Sequence, residues 1–516
     1  MDWTKTSYVQ PQVHFWDRYL YDRESGKYTV DRLLDDFEQR YGGVDSVLMW
    51  PIYPNIGLDQ QNALDRLHAL PGGLNRTKEM IDDFHKRGVK VLYGYTPWEV
   101  LTRNGGIEEG FTSRSDNYLK RLTEMGFDGI NGDTMSEVPI DFFNNKYDKD
   151  HPMAIEPEGE AQGNTFWWSA MGWGYYHENG DNAGEPVYDQ VPVVSLQKWL
   201  SYRGEHMVNI NERWAHERFG PMQMAHFNGI GYESWEDVWG IWNGITPRAG
   251  EALRRLSLNW RFLGKEQITH NFEQWIPHTE QVGPRENMIF GSKFTGLKRD
   301  DKESDIVFMI VNRGDSKTTA KINLLPYEQE DYKYYDLFTG GEFLPLDFGM
   351  IDIDIEPKGF ATLYMTKNPI TKDLQDLLDK MTELNKTPLD SFSNDWKPLL
   401  QKQVVMEDSD PTKGSSKDMV LVDRTKFNFK SHGTQQEPFD EFEYHTKDVQ
   451  FFWEDQPQVD HDKELDIGPF WIDQDLVTRK QFQNYLDESK YMPKDPYNYL
   501  SGWKLRDDGS YECPDD

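Results

Sequence analysis

The feature that most constrains this chain is a repeat: over its first 285 residues, short apolar runs alternate with amphipathic windows of helical period. Val13-His14-Phe15-Trp16 reads as a strand, and Val30 to Arg40 as a helix with Val30, Leu33, Leu34 and Phe37 on one face. Ser46 to Trp50 is the second strand. Thr77 to Arg87 is the next helix, with Met80, Ile81 and Phe84 along one stripe and Gly88 as its stop, and Val89 to Tyr95 follows as a strand. Asn117 to Met125 is helical up to Gly126, and Asp128 to Asp133 is the fourth strand with its exit. Met153 to Glu156 reads as a fifth strand, Val191 to Leu196 lies near a sixth, and Met222 to Asn228 reads as a seventh. Trp235 to Asn243 and a helix from Pro247 to Leu263, with proline at a favoured first-turn position, complete the set. Strands alternating with helices predict a parallel sheet, and about 250 residues is the usual size of an eight-fold barrel. The expected fold class is α/β, with a (β/α)8 TIM-like barrel over residues 1–285.

Beyond the barrel the period switches to two. Ile306 to Gly314, Thr318 to Leu324, Tyr332 to Phe338, Ile351 to Ile355 and Phe360 to Tyr364 are strands at short spacing, with a turn at Gly340-Gly341, which predicts an antiparallel β-sandwich over 286–367. Residues 368–417 are a helical segment, Thr371 to Leu384, and a linker-like stretch around Asp408 to Ser416; a further unit is expected over 418–516.

Charge removes one class of partner. With 56 Lys and Arg against 89 Asp and Glu, the net charge of −33 repels the phosphate backbone that supplies most nucleic-acid affinity. A mean hydropathy of −0.80 would suit a disordered chain, but 18 tryptophans would not. No apolar run approaches the roughly 20 residues of a membrane span, and Met1 to Lys5 does not open a secretory signal, so no membrane partner is expected and the sequence assigns no compartment. The single Cys513 forbids an internal disulfide and a multi-thiolate metal site. Asp507 to Asp516 reads like a turn inside a domain, so the third unit is expected to be partial.

The strongest local signal for chemistry is Gly126-Phe127-Asp128-Gly129-Ile130-Asn131-Gly132-Asp133. A glycine stops a helix, a short strand begins, and Asp133 stands where it leaves the barrel, the end at which barrel enzymes keep their active sites. Asp128 suits the start of that strand. Acid/base work at a glycosidic bond needs a second carboxylate from another strand end. Glu156 closes the next apolar run, with Glu158 close behind, and Glu233 follows in Gly229 to Trp239 as a third candidate that acts on or orients substrate. Each also reads as an ordinary cap or solvated carboxylate of an acidic protein. Trp16, Trp50, Tyr53, Trp98, Trp168, Asn228, Tyr232 and Trp235 are candidate substrate-binding residues, since rings near carboxylates suit sugar faces; core packing is the other reading of each ring. Tyr95, Trp167, Trp173, Trp239 and Trp242 share those loops, and His14, Asp17, Arg103, His206 and His226 are further candidates for the pocket. No histidine pair has zinc-site spacing and no glycine-rich phosphate loop follows a strand.

The barrel resembles glycoside hydrolases of the broad α-amylase and α-galactosidase type. The likeness rests on Leu74 to Val91, with His85-Lys86-Arg87-Gly88 before the third strand, and on Gly126-Phe127-Asp128-Gly129 followed four residues later by Asp133, where those enzymes carry the nucleophile. A sandwich after the barrel is their common appendage. The amylase-like order implies an acid/base on the fifth strand, at Glu156; the galactosidase-like order implies one on the sixth, where no clean Asp stands, so the acid/base stays open. Met419 to Val422, Phe427 to Ser431, Pro469 to Phe482, Trp503 and Asp508 to Tyr511 resemble the opening of sulfatase-modifying factor (formylglycine-generating enzyme) domains, which implies a partial α+β, C-type-lectin-like domain over 418–516. That family's catalytic cysteines lie in its later part and Cys513 matches none, so copper is not supported. The acidic insert Glu437 to Asp466, with eleven Asp and Glu against two Lys, could hold calcium as that family does, or stay a solvated loop. The barrel needs no cofactor. Together the resemblances imply a two-carboxylate reaction on a complex or sulfated glycan. The alternatives are an oxidase or oxygenase activity in the C-terminal domain and a non-catalytic carbohydrate-binding protein; oligomeric state stays open.

Overall fold

A computed structural model describes residues 1–514 apart from 52–62, 97–113, 134, 136–137, 146–150, 159–167, 176–190, 192–204, 212–217, 239–240, 243, 300–301, 329, 345–348, 396–417, 435–457, 493–498 and 501. The chain divides into two units, Met1–Pro398 and Leu399–Asp516.

In the first unit eight strands run parallel: β1 (Gln12–His14), β2 (Ser46–Trp50), β3 (Lys90–Tyr95), β4 (Gly129–Gly132), β5 (Ala154–Pro157), β6 (Met171–Tyr175), β7 (Met207–Asn211) and β8 (Gly231–Glu233). One ladder joins β1 to β5 and another joins β6 to β8. Parallel bridges close the ring, Glu158 to Trp173 between β5 and β6, and Val9 to Tyr232 and Gln12 to Trp235 between β1 and β8. Pro11 has no N–H to donate, and the ladder of β1 on β2 begins only after it, at Gln12.

The helices bury the faces their spacing defines. α1 (Val30–Tyr41) sinks Val30, Leu33, Leu34, Phe37 and Tyr41, each worth about 1.5–3 kcal/mol of transfer free energy, and stops at Gly42, whose φ of 83° is the left-handed cap that glycine adopts freely. α2 (Ala63–Ala69) and α3 (Gly73–Lys86) precede β3; α4 (Arg114–Met125) precedes β4, and α5 (Ile140–Asn145) lies between β4 and β5. α6 (Phe219–Asn228) leads into β8, and α7 (Pro247–Lys265) follows it, capped by Thr246, whose hydroxyl accepts from the Ala249 N–H.

The later barrel departs from the expected strands. Met222 to Asn228 is not a strand: it belongs to α6, all ten residues of which are buried. A helix apolar on every side loses the helical period, and a short apolar run then reads as a strand. The described strands that follow β5 in the ring are Met171–Tyr175 and Met207–Asn211; of the stretch Val191 to Leu196, residues 192–196 lie outside the described residues.

α6 is buried because the sandwich covers it. The sandwich pairs a six-stranded sheet, in the order β9 (Phe272–Ile276), β11 (Ile289–Gly296), β12 (Ile306–Asn312), β17 (Phe360–Thr366), β14 (Lys333–Asp336) and β15 (Gly341–Phe343), with a three-stranded sheet of β10 (Val282–Gly283), β13 (Thr318–Asn323) and β16 (Met350–Ile355). Ile351, Ile353 and Ile355 point inward while Asp352 and Asp354 face out, and they meet Phe308, Ile310, Ile322 and Leu363 in the core. Gln223 Nε2 of α6 donates to the Asn312 carbonyl at 2.8 Å. Trp260 Nε1 donates to His226 Nδ1, which leaves the His226 Nε2 proton for the Ala361 carbonyl at 3.1 Å. α8 (Lys372–Leu384) ends against Arg255 of α7, which donates to the carbonyls of Leu384 and Thr387.

In the second unit β18 (Met419–Val422) pairs with β21 (Phe470–Asp473), and β19 (Thr425–Thr434) with β20 (Gln458–Ile467), all antiparallel. α9 (Arg479–Ser489) opens with a capping box of Thr478 and Gln481. Four carboxylates of the acidic insert lie on β20, and cations across the ribbon engage them: Asp460 with His432, Asp462 with Lys430, Glu464 with Lys426 and Asp466 with Arg424. Among the described residues no group of three or more His, Cys, Asp and Glu side chains could hold a metal ion, and no helix is long and apolar enough to cross a membrane.

Candidate active site

Residues paired across a parallel ladder face the same side of the sheet, so the barrel register identifies the lumen. Trp50 points inward: its ring meets Trp173 edge-on at 6.3 Å, and Trp173 meets Trp235 at 6.0 Å. Gly94 makes room for it, since a Cβ there would come within 2.4 Å of the Trp50 ring. His14 is the register partner of Trp50 and Gln12 that of Leu48. The same reading puts Asn131 and Asp133 of the β4 line, Glu156 and Glu158 of the β5 line, Asn209 of β7 and Glu233 of β8 in the lumen.

The deeper of these form one polar layer. Gln10 Nε2, from the β1 side, crosses the lumen to both Glu156 oxygens at 2.8 and 3.1 Å and comes within 3.5 Å of Glu233. Asn209 Nδ2 donates to Glu156 at 2.7 Å and Asn131 Nδ2 at 3.1 Å, while Gln10 Oε1 accepts from Ser46 at 2.7 Å. Burial raises the Glu156 carboxyl above its ordinary pKa, and the amides of Asn131, Asn209 and Gln10 oppose that rise. Glu156 has 0 % of its surface exposed. The residue joins groups of three other strand lines from inside the wall, one layer deeper than Glu158. Glu233 is buried in the same layer.

One layer nearer the carboxyl ends of the strands the arrangement opens. Gly132 faces Pro157 across β4 and β5, so the next residues of each chain, Asp133 and Glu158, stand side by side at the exits. The Glu158 N–H donates to the Gly132 carbonyl at 3.1 Å and the Asp133 N–H to the Tyr95 carbonyl at 2.8 Å, which fixes both backbones. Asp133 is 7 % exposed and Glu158 half-buried.

Asp128 sits at the opposite end of β4. Its carboxylate accepts from His85 Nε2 and Lys90 Nζ, each at 2.7 Å, and from the Val91 N–H at 2.9 Å. Burial works to raise its pKa, but those hydrogen bonds outweigh burial and hold it below 3.8.

Several candidate sugar-binding residues take other places. Trp50 and Trp235 are buried and pack with Trp173. Tyr232 lies on the outward side of β8, opposite in parity to Glu233, and is buried there. Asn228 ends α6 and donates to the Met224 carbonyl. Trp168 sends its indole N–H to the Val138 carbonyl and packs on Phe143. His226 belongs to the sandwich interface, and His206 Nδ1 lies 3.1 Å from the Ser169 carbonyl. Asp17 accepts from the Tyr19 and Leu20 N–H groups just beyond β1. Trp16 is half-buried two residues past β1. Tyr53, Trp98, Arg103, Trp167 and Trp239 lie outside the described residues. The reading of the sequence missed Gln10, Asn131 and Asn209, whose signal is a polar residue at an inward position of an apolar strand.

No family model matches the chain, and no curated protein matches it. Solved structures similar to it include a maltogenic α-amylase from Thermotoga neapolitana, 11% identical, covering 71% of this chain and 100% of that one with a TM-score of 0.49. A GH27 β-L-arabinopyranosidase from Geobacillus stearothermophilus is 10% identical and covers 72% of this chain and 99% of its own, with a TM-score of 0.45. A third, described as a putative α-galactosidase from Bacteroides fragilis, is 12% identical and covers 71% of this chain and 80% of its own, with a TM-score of 0.44.

Proposed function

We propose that the barrel hydrolyses a glycosidic bond at the carboxyl ends of its strands, with Asp133 as nucleophile and Glu158, in place of Glu156, as general acid and base. The observation that carries this reading is the register that makes Asp133 and Glu158 neighbours at adjacent strand exits. Parallel strands lie about 4.8 Å apart, a spacing that suits the separation of about 5–5.5 Å between the carboxyls of a retaining pair better than the wider gap that admits a water. Asp133 attacks the anomeric carbon, the glycosidic C–O bond breaks, and the leaving oxygen takes the Glu158 proton. Glu158 then removes a proton from water as that water attacks the same carbon, which frees Asp133 and releases the sugar. The half-buried position of Glu158 lets that water reach it. Trp16 is the described ring available to stack on a sugar.

The glycan is a complex or sulfated one in this reading, supported by the likeness of Met419 to Val422 and Pro469 to Phe482 to sulfatase-modifying factor domains on the same chain. The test is turnover of a panel of 4-nitrophenyl α- and β-glycosides. Asp133→Asn is expected to abolish it, and Glu158→Gln to lower it by about 10²–10⁴-fold, with recovery in azide as a replacement nucleophile. Unchanged turnover in Asp133→Asn sinks the assignment.

A further inference from the structure

His14 is the last residue of β1 and faces the lumen, as its register with Trp50 requires. It is 2 % exposed, and neither ring nitrogen has a hydrogen-bond partner among the described residues. Buried polar atoms are nearly always paired, because one left alone loses its bond to water and gains nothing. An imidazole carries two such atoms on one small ring. Burial pushes its pKa down to about 4, so near neutral pH it presents one donor and one acceptor and no charge.

Its place in the ring supplies what the protein does not. In an eight-stranded barrel β1 and β5 are four strands apart in either direction, hence opposite each other. The reach of Gln10 Nε2 from the β1 side to Glu156 on β5 shows that side chains span that distance. His14 lies four residues further along its strand than Gln10, toward the mouth, and Glu158 two residues beyond Glu156. By that count Gln12 is level with Glu158, and the imidazole stands across the lumen one layer nearer the mouth than the Asp133 and Glu158 pair, at the register of Trp50.

We propose that His14 is a substrate-binding residue that takes a ring hydroxyl of the sugar held against Asp133 and Glu158, one nitrogen accepting from that hydroxyl and the other donating to a second sugar oxygen or a bridging water. This rests on the glycosidase reading of the same mouth and adds what grips the sugar from the far wall. The ligand class is a pyranoside with free hydroxyls, held by a neutral group, so that carboxylate or sulfate on the sugar is not what His14 recognises.

Three measurements test it. In the absence of sugar, His14→Phe fills the same space without unpaired nitrogens and is expected to melt at or above the wild-type temperature; melting several degrees lower would show a structural partner for the imidazole and overturn the proposal. With whichever 4-nitrophenyl glycoside the wild type cleaves, His14→Phe is expected to lower kcat/KM about 10–100-fold, mostly through KM, and His14→Asn, which keeps a donor and an acceptor, to recover part of the loss; an unchanged kcat/KM in His14→Phe overturns it. If the wild type cleaves no glycoside, the hydrolase reading fails, and the third measurement decides the binding role by itself. The ring resonances of His14, assigned with His14→Asn, are followed by NMR during titration with millimolar glucose, galactose, arabinose and xylose. A saturable shift of those resonances supports binding, and no shift with any of the four sugars refutes it.

Discussion

The structure separates two glutamates that stand two residues apart, and replacing each with glutamine is the sharpest test of the barrel reading. Glu156 accepts four contacts of 2.7–3.1 Å from the amides of Gln10, Asn131 and Asn209. Glu156→Ala leaves those three amide groups facing a hole; at about 1–3 kcal/mol for each buried unsatisfied group, the loss is about 3–9 kcal/mol, a large part of the 5–15 kcal/mol that holds a typical domain together. Glu156→Gln keeps the shape and brings one N–H against a donor. The Asn131 Oδ1 has no partner among the described residues and can turn to accept it, so the expected cost is about 1 kcal/mol. The pH dependence has a definite sign. The folded pKa lies above the ordinary 4.5, so its stabilising contribution is complete below 4.5 and is lost as pH rises through the folded value. The urea stability of Glu156→Gln relative to wild type is therefore expected to improve as pH rises from 4 to 7. Turnover at pH 7 is expected to stay within about threefold, while Glu158→Gln loses about 10²–10⁴-fold. A folded Glu156→Gln that loses turnover, beside a Glu158→Gln that keeps it, would falsify the placement and return the proton donor to Glu156.

Three further outcomes probe the scaffold. Gly94→Ala drives a Cβ to 2.4 Å from the buried Trp50 ring and is expected to cost about 1–3 kcal/mol in urea denaturation. Asp128→Asn removes the charge and one of the two acceptor oxygens that serve His85 and Lys90, and is expected to cost about 2 kcal/mol at pH 7. Because the folded pKa of Asp128 lies below 3.8, its contribution is present above that value and vanishes as pH falls through the folded pKa, so wild type and variant converge in acid. Thr246→Ala deletes the cap on α7 and a 2.8 Å bond to Asn394, and is expected to lower stability by about 1 kcal/mol, read by the thermal midpoint.

The first four strands and α1, α3 and α4 are legible because each helix keeps one wet face and so keeps its period. Legibility fails at α6, whose surroundings are apolar on all sides, and at β6 and β7, where Gly172 and Gly174 or Asn209 and Asn211 interrupt the apolar run. Asp133 could be found because a glycine-stopped helix and a short strand lead straight to it. The choice between Glu156 and Glu158 could not, since parity along a strand gives both the same face and only the register on β4 tells which one reaches the exit. The inward place of Trp50 is likewise not legible, since it depends on the space that Gly94, forty-four residues later, leaves for its ring.

α6 bears on how such a chain can be divided. The helix that delivers β8 has no wetted side, and its Gln223 and His226 find their acceptors on Asn312 and Ala361, more than eighty residues downstream. A cut near residue 285 would hand the barrel a bare apolar helix with two stranded donors, so the barrel is expected to aggregate when expressed alone. Barrel and sandwich are one heritable piece: recombination can exchange what lies outside Met1–Pro398, but a new sandwich must arrive with acceptors already matched to the helix it covers.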